Sequence, residues 1–303
     1  MVLKTISKMD MISSPEIIDE IFRYDVPLQR YTSFRTGGAA EIFVEPRDTS
    51  ELKKALQFCK DEDKKVFIIG KGTNLLVNDN GVKGVVIHLG GVDFKKIERN
   101  GRYVSSGAGV NLPQLIRKTA LWGLGGLEVL VGIPGTVGGA VMMNAGGRYG
   151  DISDTISALT TITFDGKITN RSRKDVEFVY RECNLSNQVV VKVEFALKES
   201  RKEEILEKMS KIYKEKKEKQ PLSTFSAGSI FKNTQHYKAA ELIEKANLKG
   251  WKVGGAVVSE KHSNFIVNTG NATSTDILEL INIIKETIKK KYNISLEQEI
   301  QIW

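Results

Sequence analysis

The chain has 303 residues, 41% of them hydrophobic and 27% charged, with 45 basic against 37 acidic side chains and a formal net charge of +8. This composition describes an ordinary globular protein long enough for two domains, and no apolar run approaches the ~20 residues of a membrane-spanning helix. The positive balance favours anionic partners, but its densest run, KEKKEK at 214–219, is broken by Glu215 and Glu218 and reads as a solvated helix face; without aromatic-studded strands or zinc-finger spacing, phosphorylated small molecules explain it as well as nucleic acid.

Residues 1–30 read as a loosely packed lead-in with a short helix at Ser14–Phe22 and no secretory signal. Tyr31–Gly38 (YTSFRTGG) leads into the strand-like AEIFVEP. Asp48 or Thr49 caps a helix whose inner face carries Leu52, Ala55, Leu56 and Cys59, which makes Cys59 a core residue without chemistry. Cys183 is the only other cysteine, too few for a disulfide framework, so a reducing, cytoplasmic compartment is expected.

Val66–Ile69 is a short apolar strand, followed directly by GKGTNLLV at 70–77. A dinucleotide fold would place a G-x-G-x-x-G turn here, opening an amphipathic helix. Instead Gly70, Gly72, Thr73 and Asn74 run into further apolar residues, a turn at Asn78–Gly81 and a strand at Gly84–Leu89. That pattern argues against a Rossmann unit and leaves a strand–turn–strand whose exposed amides form an anion-binding nest. Phe94–Ile97 and Arg102–Ser106 read as strands, and Asn111 opens a helix with Leu112, Leu115, Ile116 and Ala120 along one side.

The stretch 123–150, GLGGLEVLVGIPGTVGGAVMMNAGGRYG, has ten glycines in 28 residues among large apolar side chains. A flexible linker would lack those apolar residues. The pattern fits a backbone that meets a buried polar cofactor with main-chain N–H groups, and equally a tightly packed β-rich loop system with no ligand.

Leu159–Phe164 and Lys167–Asn170 form a hairpin across Asp165-Gly166. The alternating Gln188–Lys198 strand, with Val189, Val191, Val193, Phe195 and Leu197 on one face, closes a first domain. The period then becomes helical over Ser200–Lys219, with Ile205, Met209 and Ile212 inward and Pro221 as the stop. A second Gly/Ser turn, Ser226–Asn233, precedes a helix at Lys238–Asn247, strands at Ala256–Ser259 and Asn264–Val267, a helix at Ser274–Lys291 carrying Ile277, Ile281, Ile284 and Ile288, and an alternating tail, Leu296–Trp303. The chain therefore divides into a β-rich part of about 200 residues and an α+β part of about 100.

Single residues do not identify a catalyst. His88, His236 and His262 are scattered without metal-ligand spacing, His88 reads as structural, and no metal site is expected. G-x-S-x-G is absent. Taken alone, Ser229 reads as a helix cap, Arg181 as a surface arginine and Glu299 as a solvated carboxylate.

Six motifs in order change this: YTSFRTGG, GKGTNLLV, GLEVLVGIPGTVGGAVMMNAG, SAGSIFKN, HSNFIVNTGNAT and the closing LEQEI. From Tyr31 to the C-terminus the chain resembles the UDP-N-acetylenolpyruvoylglucosamine reductase family, in its shorter type II form. The resemblance implies an α+β fold in which residues 1–200 hold FAD, with a core of the vanillyl-alcohol-oxidase (PCMH) type at about 34–198, and residues 201–303 form a UDP-sugar domain. FAD pyrophosphate would lie on Gly70, Gly72, Thr73 and Asn74, alongside Gly132, Ile133, Pro134, Gly135, Thr136, Gly138 and Gly139. The implied reaction serves peptidoglycan precursor synthesis. NADPH gives hydride to FAD, reduced flavin passes it to C3 of the enolpyruvyl ether, and C2 is protonated.

By position in those motifs Ser229 is the proton donor, Arg181 holds the substrate carboxylate and Glu299 helps stabilise the intermediate. Lysines near Lys217 and Lys219 could neutralise the diphosphate. A cytoplasmic monomer acting on small molecules, without nucleic acid or membrane partners, is expected. Cys183 stands where the family usually has Ser, Phe225 replaces a common Pro, and NAGGRYG carries Gly-Arg where a small residue and a tighter loop are expected. A flavin-dependent alcohol oxidase of the same superfamily, or a nucleotide- or nucleic-acid-binding protein without flavin, are the alternatives.

Overall fold

The computed structural model describes residues 21–303. Most of the expected Ser14–Phe22 helix lies outside the described residues, and Phe22 itself opens a strand. That strand, Phe22–Pro27, corrects the loosely packed lead-in. It pairs antiparallel with Ala39–Val44 at the edge of a four-stranded sheet. Val82–His88 and Val66–Ile69 complete the sheet in parallel register. Helix α1, Thr49–Asp61, connects Ala39–Val44 to Val66–Ile69, and the Asp48 carboxylate accepts the Glu51 amide at 2.9 Å to start it. Its Leu52, Ala55, Leu56 and Cys59 are buried as their spacing predicts.

A second, wholly antiparallel sheet has the order Ile168–Ser172, Ile156–Thr163, Gln188–Ala196, Tyr103–Gly107, Ile97–Asn100. The expected strand at Phe94–Ile97 is instead a 3₁₀ turn, Asp93–Lys95, followed by that edge strand. Gln188–Ala196 is last in sequence but central in space, which is why Val190 is buried along with the alternating set. Helix α2, Leu112–Leu121, packs with the expected face inward, against Leu124–Gly125 and Glu128–Leu130. The glycine stretch contains a helix that sequence reading missed: α3, Val137–Met142, capped by the Thr136 hydroxyl. Gly138 permits it, because a Cβ there would lie 2.8 Å from Ala108 Cβ.

Helix α4, Lys202–Lys219, packs on α2 and on the segment around Glu128–Leu130. Lys208 pairs with Glu128 at 2.7 Å across that contact. The remaining residues build a separate core from α5 (Ala239–Lys245), α6 (Ser274–Tyr292) and the short sheet containing Ala256–Val258 and Ile266–Asn268, into which Phe34 and Leu76 are also buried. Asp79 fastens this core to the first: its carboxylate accepts the amides of Ser274 and Thr275, at 2.8 and 3.0 Å, at the start of α6. The C-terminal tail contributes only Gln301–Ile302 as strand, which pairs in parallel with Leu75–Leu76 just beyond the Gly70–Asn74 turn. No helix among the described residues is long and apolar enough to cross a membrane.

Candidate active site in the cleft between the two cores

A cleft of about 1820 Å³ runs between the two cores, and Arg181, Ser229 and Glu299 all line it. The sequence separates them by up to 118 positions, and three different devices bring them together. Glu299 lies two residues before Gln301, whose amide bonds to the Asn74 carbonyl at 2.9 Å, while the Asn74 side-chain amide donates to the Glu299 carbonyl at 3.0 Å. The glycine turn thus fixes the backbone from which the Glu299 carboxylate projects. Arg181 is the second residue of a tight turn between Phe178–Val179 and Glu182–Cys183 and takes the left-handed conformation, φ +62°. That backbone is costly for a non-glycine residue. Here it directs the guanidinium inward, where Nε donates to Glu299 Oε1 at 2.7 Å.

The side chains of this pair are 18% and 13% exposed, which corrects both single-residue expectations: neither the arginine nor the carboxylate is solvated. Burial raises the Glu299 carboxyl above its ordinary value, with Arg181 opposing. Ser229 caps no helix; it follows Gly228, which has φ +79° and open space where a Cβ would lie. Its hydroxyl bonds to no other described residue. Phe231, just beyond it, is anchored through its amide and carbonyl to the Asn264 side chain, at 3.0 and 2.8 Å.

The expected cofactor residues lie along the same cleft. The amides of Gly72, Thr73 and Asn74, and those of Gly135 and Thr136, find no acceptor among the described residues. A Cβ on Gly135 would meet only the Thr73 hydroxyl, and one on Gly139 only the Thr136 hydroxyl. Two glycine-containing edges with free N–H groups, facing a long cleft, suit an elongated anionic ligand such as FAD. Gly70 serves the contact between them: a Cβ there would stand 2.5 Å from Thr136 Oγ1. Pro134 accepts from Thr73 Oγ1 at 3.4 Å, and Ile133 packs against the main core. Gly138 differs, since its amide is spent on the Ala108 carbonyl at 2.8 Å and it acts by packing. His88, expected to be structural, reaches Glu45 at 3.0 Å from the cleft wall.

Sequence reading missed Lys216. It belongs to the run taken as a solvated face, yet it is drawn into the cleft, where Nζ donates to the Val131 carbonyl at 2.7 Å. Burial, and then Arg181, lower its pKa to about 8. Gly132 makes the space, because a Cβ there would stand 3.1 Å from the lysine stem. Lys219 lines the cleft as well, whereas Lys217 offers its carbonyl to Lys261 outside it. Cys183 lies buried beside Met142, with its thiol pushed up by burial.

Two family models match the chain: an FAD binding domain over residues 40–172, and the UDP-N-acetylenolpyruvoylglucosamine reductase C-terminal domain over 220–303. UDP-N-acetylenolpyruvoylglucosamine reductase 1 of Bacillus cereus is 40% identical over 298 residues, covering 95% of this chain and 98% of the relative. The reductase of Clostridium novyi is 40% identical over 285 residues, covering 93% and 92%. The crystal structure of the Thermus caldophilus reductase superposes with a TM-score of 0.83 at 38% identity, covering 93% of this chain and 99% of that one. With identity at this level along nearly the whole length, and both domain models in order, the chain belongs to the UDP-N-acetylenolpyruvoylglucosamine reductase family.

Proposed function

We propose that this protein reduces the enolpyruvyl ether of UDP-N-acetylglucosamine enolpyruvate to UDP-N-acetylmuramate at the expense of NADPH, a step in peptidoglycan precursor synthesis. The observation that carries the proposal is the buried Arg181–Glu299 pair, held against the glycine turn that suits FAD and facing the cleft lined by Ser229. Bound FAD supplies hydride transfer between NADPH and the enolpyruvyl carbon.

The remaining chemistry falls to side chains of this chain. In our assignment, Arg181 meets the substrate carboxylate through the guanidinium nitrogens that Glu299 does not occupy, where negative charge grows as hydride arrives. Glu299 fixes the guanidinium plane. Its burial favours the protonated carboxyl, so it can hold a proton near the reacting carbon once the substrate carboxylate competes for Arg181. The Ser229 hydroxyl, unengaged by other described residues, donates the proton to C2. Lys216 and Lys219 offer cations to the diphosphate. Gly72, Thr73, Asn74, Gly135 and Thr136 would hold the FAD pyrophosphate by their backbone amides, with Gly70 keeping the two edges in contact.

We assign residues 1–200 to flavin binding and 201–303 to the UDP-sugar. Helix α4 packs on the first core but lends its C-terminal lysines to the cleft. A monomer in a reducing cytoplasm fits two buried free cysteines, Cys59 and Cys183. The test is product analysis: protein incubated with the enolpyruvyl sugar and NADPH should yield a UDP-sugar heavier by two hydrogens. Consumption of NADPH with oxygen but without that product would defeat the assignment and favour an oxidase.

A further inference from the structure

The NAGGRYG stretch forms a feature that the reaction itself does not use. Gly146–Gly147 and Gly150–Asp151 pair as a small antiparallel hairpin with Arg148 and Tyr149 at its tip. The Tyr149 hydroxyl donates to Glu215 Oε2 at 2.6 Å, and Arg148 Nη1 stands 3.7 Å from the same oxygen. Glu215 immediately precedes Lys216 near the end of α4. The hairpin therefore grips the helix one residue from the cation that enters the cleft.

Two anchors hold α4 against the glycine-rich segment. Lys208–Glu128 fixes its middle, and the Tyr149–Glu215 bond fixes its last turns. Between them the Lys216 stem runs over Gly132, and its ammonium spends one of three donors on the Val131 carbonyl. The other two are free to meet an anion in the cleft. The charge that acts on this ammonium is Arg181, which is paired with Glu299; Lys219 lines the cleft further along α4, as do Glu182, Lys232 and Glu297 elsewhere on its wall. Asp151, at the base of the hairpin, faces Arg181 electrostatically. Without Tyr149, Glu215 would keep only the exposed Arg148 as a partner among the described residues, and Lys216, held by a single bond to Val131, could leave for water.

We propose that Tyr149, acting through Glu215, is a positioning residue that locks the end of α4 so that Lys216 presents its ammonium to the anionic part of the substrate. The proposal rests on the reading of the cleft as the UDP-sugar site. It extends that reading to a residue of the Gly146–Asp151 hairpin, outside the catalytic set.

The test uses the full FAD-loaded chain and two independent readouts. Competitive acetylation with acetic anhydride, followed by mass spectrometry, reports how Lys216 titrates without any turnover. In the unaltered protein it should titrate at about 8. In Tyr149→Phe it should move by about a unit or more toward an ordinary lysine, as Lys216 regains water. The KM for the enolpyruvyl UDP-sugar should rise about tenfold, while flavin reduction by NADPH stays within about twofold. Glu215→Gln, which keeps an oxygen acceptor for the phenol, should hold both values near those of the unaltered protein; Glu215→Ala should follow Tyr149→Phe. If Tyr149→Phe leaves the Lys216 titration and the KM unchanged, the positioning role is overturned. If the titration shifts but Lys216→Met has no effect on KM, the pair does position the lysine and the substrate reading of the cleft fails instead.

Discussion

Replacing Arg181 by Met removes the guanidinium while keeping an unbranched stem of similar reach. Two costs follow from the buried pair. In the proposed assignment the substrate carboxylate loses a charge-assisted hydrogen bond worth about 1.5–3 kcal/mol, or roughly ten- to 150-fold in the oxidative half-reaction. Glu299, at 13% side-chain exposure, loses its only ion-pair partner among the described residues and is left as a buried carboxylate. An uncompensated charge of that kind can cost about 3–5 kcal/mol, an upper limit here because the carboxyl can take up a proton instead.

Its folded pKa already lies above the ordinary 4.5 and rises further without Arg181. The sign follows: a group that binds its proton more tightly when folded loses stability as pH rises. The thermal deficit of Arg181→Met is therefore greatest at neutral pH and shrinks toward pH 4.5. Anaerobic stopped-flow separates the chemistry. Flavin bleaching by NADPH should stay within about twofold, while reoxidation by the enolpyruvyl sugar falls at least about tenfold. Equal loss in both half-reactions, or a deficit in melting temperature that does not change with pH, would refute the reasoning.

Three further outcomes are expected. Ser229→Ala should leave flavin reduction intact and slow reoxidation; stopped-flow traces in which both remain fast would remove Ser229 as proton donor. Gly72→Ala should give protein with little bound FAD by its visible-to-ultraviolet absorbance ratio, because Gly72 sits at φ +55° with a Cβ only 2.3 Å from the Tyr31 carbonyl oxygen. Asp79→Ala should cost about 1 kcal/mol, seen as a melting temperature lower by roughly 2–4 °C, by removing the acceptor for two α6 amides. Burial alone would raise the Asp79 pKa, but hydrogen bonds from Ser274 and Thr275 bring it below the ordinary 3.8. Its contribution is therefore complete above that value and fades as pH falls below it, so the two melting curves should converge in acid.

Where burial follows a simple period, the chain was legible. Asp48 capping α1, the inward face of α2, the Asp165-Gly166 hairpin and the isoleucine row of α6 all follow from local pattern. Phe22–Pro27 escaped because, as an edge strand, it buries only Phe22 and exposes charged neighbours. α3 escaped because glycine has low helix propensity. Its stability comes from packing beside Ala108 and from the Thr136 cap, neither visible in a single stretch.

The site was legible only through motif order. Periodicity cannot place Arg181 against Glu299, since a left-handed turn residue and a tail strand paired with Leu75–Leu76 bring them together. Lys216 was hidden by the charges around it. What marks it is the Gly132 gap that receives its stem, a signal that exists only in three dimensions.

The measurement that tests the account most directly is the visible spectrum of the purified, undenatured protein, taken before and after anaerobic NADPH and again after UDP-N-acetylglucosamine enolpyruvate. Flavin bands that bleach with NADPH and return with the enolpyruvyl sugar are the predicted result. A protein that shows no flavin bands even after incubation with FAD, or whose reduced flavin ignores the sugar, would contradict it.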